Sequence, residues 1–285
     1  MKEKKAVPND RRNGSFHHKK SLGQNFLTDE MLLENLVSLS GVGADDRVLE
    51  IGAGAGAMTR VLGERCREVI SIEVDGTLLP ILRVSLEKYR NVWLIHGDAM
   101  RLNLPELTAG WDSFHVVANI PYYLTSDLMN LLMASGMPIR SVNVMVQKEA
   151  AERLTARPGS KEYSVLSVKA QYFGRPEIVL DVPRALFTPP PKVDSAFVTM
   201  PMRAPEERMF QGAEEALFLK IVSAAFALRR KTLLNNLMNT FHLERSAVEK
   251  WLADGQIDAS RRGETLSVRE FAALTRVAPC TQKTE

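Results

Sequence analysis

Arg47-Val-Leu-Glu-Ile-Gly-Ala-Gly-Ala-Gly56 is a short apolar strand that runs straight into three alternating glycines. Glycine permits the backbone to turn through positive φ and to approach a ligand closely, and a helix start beyond it offers unpaired N–H groups. The following Ala57–Cys66 reads as that helix. Dinucleotide enzymes use the spacing G-x-G-x-x-G. Here the spacing is G-x-G-x-G, with Ala57 where a helix-packing glycine would stand. Alanine is tolerated there, so the glycines alone leave a cradle and a plain turn both open. Glu50 in front of them favours a ligand that carries an amine and no pyrophosphate, of the S-adenosylmethionine type.

Outward from this stretch, helices and strands alternate. Thr28–Ser40 has apolar residues at helical spacing, with Thr28 or Asp29 as cap and Gly41 and Gly43 as the stop. Val69–Val74, Asn91–His96, Ser113–Asn119 and Ser141–Gln147 are near-continuous apolar runs and read as strands. Helices over Thr77–Tyr89 and Ser126–Ala134 separate them, Pro80 being admissible only in a first turn. This order predicts an α/β doubly wound, Rossmann-like parallel sheet covered on both faces. Ligands of such sheets lie beyond the C-terminal strand ends, here Gly52, Glu73, Asp98 and Asn119. After about residue 205 the strands cease, and 213–229, 231–241, 244–253 and 267–276 read as helices of a small second domain. Ala204-Pro205-Glu206-Glu207 is the expected hinge. The expected organisation is therefore a basic disordered arm at 1–18, a catalytic domain at 19–205 and a helical domain at 206–285.

At 285 residues the chain suits one large domain or two ordinary ones. Its net charge is only +3, but the first 20 residues carry +5 and the remainder −2. Such an arm reads as a solvated tail or a contact to a polyanion. Further basic clusters, Arg229-Arg230-Lys231 and Arg261-Arg262, read as solvated faces or phosphate contacts. Two cysteines, Cys66 and Cys280, match neither a disulfide framework nor a metal spacing. With no apolar run of membrane length and no signal core, a cytoplasmic, metal-free protein is expected.

The strand ends carry the chemistry. Glu73, 21 positions after Gly52, can accept from both hydroxyls of a ribose. Asp98, in His96-Gly97-Asp98-Ala99, can accept from an adenine amine or simply form an Asx turn. Asn119-Ile120-Pro121-Tyr122 is the most specific signal. An exocyclic amine on adenine is a poor nucleophile because its lone pair is delocalised into the ring. The Asn119 side-chain oxygen and the Ile120 carbonyl can accept its two hydrogens and free the lone pair. Pro121 stiffens the turn, and Tyr122 offers a stacking face. Phe187-Thr-Pro-Pro-Pro-Lys-Val-Asp-Ser195 reads as a polyproline ligand or as a stiff loop that holds Phe187 against a base taken from its stack. Ser21-Leu-Gly-Gln-Asn-Phe-Leu27 reads only as a loop that packs back.

Several segments together resemble one family. They are KKSLGQNFL at 19–27, EIGAGAGAMT at 50–59, HGDAM at 96–100, NIPYYLTSDL at 119–128, PGSKEYSVLSVKAQYF at 158–173 and FTPPPKVDSAFV at 187–198. The chain resembles the bacterial small-subunit ribosomal RNA adenine N6,N6-dimethyltransferases, the kasugamycin-sensitivity family, over roughly 19–276. The resemblance implies a class I S-adenosylmethionine-dependent methyltransferase fold with a helical C-terminal domain. It implies dimethylation of two adjacent adenines in the 3′-terminal hairpin loop of 16S rRNA in the immature 30S subunit. It also implies that Asn25, Leu27, Gly52, Gly54, Glu73, Asp98 and Asn119 hold S-adenosyl-L-methionine, and that Phe187 and Tyr122 sandwich the target base. Ile120 departs from the commoner Leu of the family, at a position where only the carbonyl acts. A monomer is expected. The alternatives are a 23S rRNA or DNA adenine methyltransferase, a non-catalytic assembly factor on the same fold, and a nicotinamide oxidoreductase.

Overall fold

The computed structural model describes residues 25–279; the basic arm, Ser21–Gln24 and Cys280 lie outside them. The elements in chain order are β1 (Phe26–Leu27), α1 (Glu30–Leu39), β2 (Arg47–Ile51), α2 (Ala57–Arg65), β3 (Glu68–Glu73), α3 (Leu79–Leu86), β4 (Val92–His96) and α4 (Leu104–Leu107). They continue with β5 (Phe114–Asn119), α5 (Thr125–Ala134), β6 (Ile139–Gln147), α6 (Lys148–Thr155), α7 (Val165–Phe173), β7 (Glu177–Val182), β8 (Phe187–Thr188) and β9 (Ser195–Pro201). Four helices close the chain: α8 (Gly212–Ala225), α9 (Leu233–Phe241), α10 (Arg245–Asp254) and α11 (Val268–Arg276). Asp29 caps α1 by accepting from Leu32 N at 3.0 Å, and Pro80 sits in the first turn of α3.

Seven strands form one sheet in the order β4-β3-β2-β5-β6-β9-β7. The chain winds outward from β2 through β3 to β4, then returns to place β5 on the other side of β2. The switch point therefore falls between the C-terminal ends of β2 and β5. The sheet is not wholly parallel: β9 runs antiparallel to both β6 and β7. The reversal follows from the short path between β7 and β9, which leaves no room for a crossover helix. The expectation of doubly buried strands holds for the centre and fails at the edge, where Trp93 of β4 is 58% exposed. A separate two-stranded ribbon pairs β1 with β8, Phe26 opposite Thr188 and Leu27 opposite Phe187.

The helical segment does not hang from a linker. Residues 205–207 are a single 3-10 turn, fastened where the Ala204 N–H donates to Glu207 Oε2 at 3.1 Å. Beyond it one apolar cluster continues from the sheet-covering helices into α8–α11. Tyr172 of α7 stacks on Phe218 of α8 with ring centroids 4.4 Å apart. Its hydroxyl donates to the Phe210 carbonyl at 3.1 Å. Tyr163, fully buried, donates to the Leu266 carbonyl at 2.9 Å. Each such aromatic contributes on the order of 2–3 kcal/mol by burial. Cys66 is buried beside the sheet, and burial pushes its thiol up to about 12. Among the described residues no helix is long and apolar enough to cross a membrane, and no three His, Cys, Asp or Glu side chains are grouped to hold a metal.

Candidate active site at the strand ends

A cavity of ≈ 290 Å³ opens at the switch point. Its floor is the glycine turn. Gly52, Gly54 and Gly56 have φ of +90°, +57° and +82°. A side chain at Gly52 would place its Cβ 3.2 Å from the Asn119 carbonyl, and one at Gly54 would meet the Phe26 ring at 3.0 Å. The first two glycines are thus the space into which a ligand's backbone-hugging part fits. Glu73 fastens this turn: its carboxylate accepts from Gly54 N at 2.7 Å and from Asp75 N at 2.8 Å. Each oxygen keeps a second lone pair for a ligand hydroxyl. Burial raises the Glu73 pKa against the lowering effect of those N–H groups.

Asp98 forms the Asx turn that its sequence allows, accepting from Met100 N at 2.9 Å, and the turn holds its carboxylate at the cavity wall. Between Glu73 and Asp98 the wall is apolar, made by Val74, Ala99 and Met100. Val74 is 48% exposed although it follows a buried strand. Carboxylates flanking an apolar slot suit a ligand with hydroxyls, an amine, a positive charge and a flat ring. The residues present therefore fit S-adenosylmethionine.

The opposite wall carries the Asn119 turn. Asn119 Nδ2 donates to the Asn25 carbonyl at 3.3 Å, which orients the amide and leaves Oδ1 as the acceptor. The Ile120 side chain is buried in the core, and its N–H donates to the Met145 carbonyl at 3.2 Å. Its own carbonyl accepts nothing from the described residues. Two acceptors thus stand side by side at the end of β5. Pro121 begins a 3-10 turn through Tyr122–Leu124, locked by Leu124 N donating to the Pro121 carbonyl at 2.9 Å. The half-buried Tyr122 ring lines the cavity, and its hydroxyl hydrogen bonds Ser195 Oγ at 2.9 Å. Burial raises the Tyr122 pKa, so the phenol stays neutral.

Asn25, Gly52, Gly54, Glu73, Asp98, Asn119, Ile120, Pro121, Tyr122 and Phe187 all line this cavity, Phe187 from within a buried apolar cluster at 2% exposure. The side chain of Leu27 does not. Neighbours in a strand face opposite sides, so Phe26 faces the cavity while Leu27, 6% exposed, packs on Leu33, Leu36 and Phe187. Glu50 also lies away from it. This carboxyl is wholly buried beneath the turn, where Thr59 Oγ1 and Ser71 Oγ both donate to Oε2 at 2.7 and 2.5 Å. Burial pushes it up to about 7. Sequence reasoning missed Phe26, Val74, Met100 and Ser195. An exposed Val after a strand has no local signature, and Ser195 reaches Tyr122 only through tertiary pairing.

The basic clusters divide. Arg261 is consumed internally by Glu270 and by Thr265, whose carbonyl accepts at 2.6 Å, so its charge is not on offer to a partner. Arg262 approaches Glu264 at 3.9 Å. Arg229, Arg230 and Lys231 are exposed, with Arg229 Nη2 donating to the Lys161 carbonyl at 3.0 Å.

Comparison with known proteins gives a consistent neighbourhood. The family model described as "Ribosomal RNA adenine dimethylase" matches residues 15–276. "Ribosomal RNA small subunit methyltransferase A" of Shouchella clausii is 42% identical over 267 residues, 91% of this chain and 89% of its own length. The protein of the same name from Clostridium botulinum is 42% identical over 260 residues, covering 91% and 94%. Among solved structures, a dimethyladenosine transferase from Plasmodium falciparum aligns with a TM-score of 0.73 at 25% identity, covering 87% of this chain and 95% of that one. The 23S rRNA methyltransferase ErmE aligns at 0.71 with 27% identity, covering 89% and 99%.

Proposed function

Because the chain is a member of the ribosomal RNA adenine dimethylase family, an rRNA adenine dimethyltransferase, we propose that it dimethylates N6 of two adjacent adenines in the 3′-terminal hairpin loop of 16S rRNA. The donor is S-adenosylmethionine, and the acceptor RNA is presented by a maturing 30S subunit in the cytoplasm. In this reading 19–205 carries catalysis and 206–285 faces the ribosomal particle, with the enzyme acting as a monomer. One observation carries the reading: two oriented acceptors, Asn119 Oδ1 and the Ile120 carbonyl, beside an aromatic face and a glycine cradle.

S-adenosylmethionine bound over Gly52 and Gly54 supplies an electrophilic methyl group on a sulfonium sulfur. Glu73 would take the ribose hydroxyls, Asp98 the adenine amine, and Val74 and Met100 would cover the ring faces. Asn25 and Phe26 roof the cradle. On the acceptor side, Asn119 Oδ1 and the Ile120 carbonyl each take one N6 hydrogen of the target base. These bonds draw nitrogen toward a tetrahedral geometry and return its lone pair for in-line attack. Tyr122 and Phe187 hold the base that has left its stack. As the N–C bond forms the methyl–sulfur bond would break, leaving a neutral thioether, and the cationic nitrogen would lose one proton to solvent; one hydrogen then remains, one acceptor still holds it, and the lone pair is presented again. The rate comes mainly from positioning, so no strong base is required before attack.

Labelled methyl transfer tests this. Acceptors are 30S particles from an undermethylated strain, naked 23S RNA and duplex DNA, with the product read as N6,N6-dimethyladenosine by mass spectrometry. Incorporation into 30S alone is expected. Incorporation confined to 23S RNA or DNA would overturn the substrate.

A further inference from the structure

At the end of the sheet opposite the catalytic cavity lies a larger cleft, ≈ 750 Å³, at the joint between the sheet and the helical segment. Four arginines line it, Arg157, Arg175, Arg203 and Arg269, against one carboxylate, Glu177. None of these five makes an ion pair within 4 Å with another described residue. Other arginines of the fold do find a carboxylate, among them Arg47, Arg140, Arg153, Arg208 and Arg245. Arg157, Arg175 and Arg269 are exposed, whereas Arg203 is partly buried and anchored by Nη1 donating to the Gly174 carbonyl. Burial first, and then the adjacent charge of Arg175, lower the Arg203 pKa against the opposing charge of Glu207, which places the two guanidinium groups close together. The start of α11 opens into the same cleft through Ser267 and Val268.

The position of the cleft separates it from the acceptor site. Strand β9 begins at Ser195, which holds Tyr122, and ends at Pro201, next to Arg203. At about 3.3 Å per residue these ends are about 20 Å apart. The nucleotides immediately flanking a target adenine do not span that distance, so the cleft is out of reach of the target's direct neighbours. Within a chain that is otherwise near neutral, four guanidinium groups lining one open groove, three of them exposed, match a row of phosphates better than a single small anion.

We propose that the Arg157–Arg175–Arg203–Arg269 cleft grips the phosphodiester backbone of a second RNA segment, distinct from the one that presents the target adenines. This inference rests on the rRNA-modifying function proposed above and deepens it: recognition becomes two-point, one segment at each end of the sheet. It explains how a protein with a net charge of +3 obtains a hold on RNA.

The test uses the full chain with Arg157→Gln, Arg175→Gln and Arg269→Gln combined, and a matched triple Lys variant that keeps the charge. Binding to undermethylated 30S particles is measured across a salt series, alongside binding to an isolated hairpin carrying the two adenines. The Gln triple is expected to bind 30S at least about tenfold more weakly and to lose up to about three from the log–log salt slope. The Lys triple should recover most of both, and hairpin affinity should not move. An unchanged 30S slope overturns the proposal. So does an equal loss on the hairpin, which would make the cleft part of the acceptor site. Loss of tripolyphosphate or phosphatidylserine-vesicle binding with 30S binding intact would assign the arginines to a small anion or a membrane surface instead. If the wild type binds 30S through these arginines yet transfers no methyl group, the cleft stands and the proposed reaction falls.

Discussion

Replacing Glu50 by Gln is expected to stabilise the ligand-free protein at pH 8 and not at pH 5. Glu50 is wholly buried, and both hydroxyl donors in reach, Thr59 and Ser71, bond one oxygen, while Oε1 has no partner. Burial, aided by the nearby Glu73 charge, outweighs the two hydrogen bonds and carries the carboxyl from 4.5 to about 7. The folded state therefore binds a proton that the unfolded state has released between those values. Stability contributed by the protonated form is present at low pH and is lost as pH rises through the folded pKa. By linkage that loss approaches about 3 kcal/mol in full and is about 2.5 kcal/mol between pH 5 and pH 8. Gln keeps the acceptor for Thr59 and Ser71 and cannot ionise. Its extra N–H₂ replaces one unpaired atom with another, at about 1 kcal/mol independent of pH. The net expectation is a gain of about 2 kcal/mol at pH 8 and a small loss at pH 5. Urea unfolding of both proteins at the two pH values reads this directly. Parallel stability differences at pH 5 and pH 8 would refute the assignment of a raised, uncompensated carboxyl under the glycine turn.

Four further outcomes follow from the same geometry. Asn119→Ala should abolish methyl transfer while 30S binding persists, and a near-normal rate of dimethylation would remove Asn119 from its role. Ser195→Ala should lower kcat/KM about fivefold by freeing the Tyr122 ring, about 1 kcal/mol, and Tyr122→Phe combined with it should add little; additive losses would show that the two groups act separately. Gly54→Ala forces a side chain into φ +57° against Phe26, and calorimetry with S-adenosylmethionine should show at least about tenfold weaker binding, from roughly 1–2 kcal/mol of strain. Neutralising Arg229, Arg230 and Lys231 should reduce the salt slope of 30S binding, whereas Arg261→Ala should lower thermal stability and leave that slope alone. The reverse pattern would mean that the Arg261–Glu270 pair opens on binding.

The parallel half of the fold was legible because its signals are local. Doubly buried strands are apolar runs, and glycine turns and Asn-X-Pro-Tyr are contiguous in sequence. The strands β7 and β9 left weaker marks. EIVLDV at 177–182 reads equally as a helix fragment, and its partner lies on the far side of a proline-rich loop. Leu27 shows the same limit at the site: resemblance brought the segment to the cavity, but which of Phe26 and Leu27 faces it is decided by pairing with Phe187 and Thr188. The charge reading failed at Arg261 for a related reason, since Glu270 is nine positions away in sequence and beside it in space.

The ribbon of β1 and β8 has a consequence for the order in which the enzyme comes into being. Phe26 and Phe187, one from each strand of the ribbon, line the cavity together, and the carbonyl of Asn25 is what sets the Asn119 amide. A nascent chain that has emerged only as far as β6 already owns the glycine turn, Glu73, Asp98 and Asn119. Its roof still waits on a strand synthesised some forty residues later. Competence therefore arrives in one step, late in translation, and a product truncated before residue 187 would hold every conspicuous motif of the family's first half with nothing to close over it.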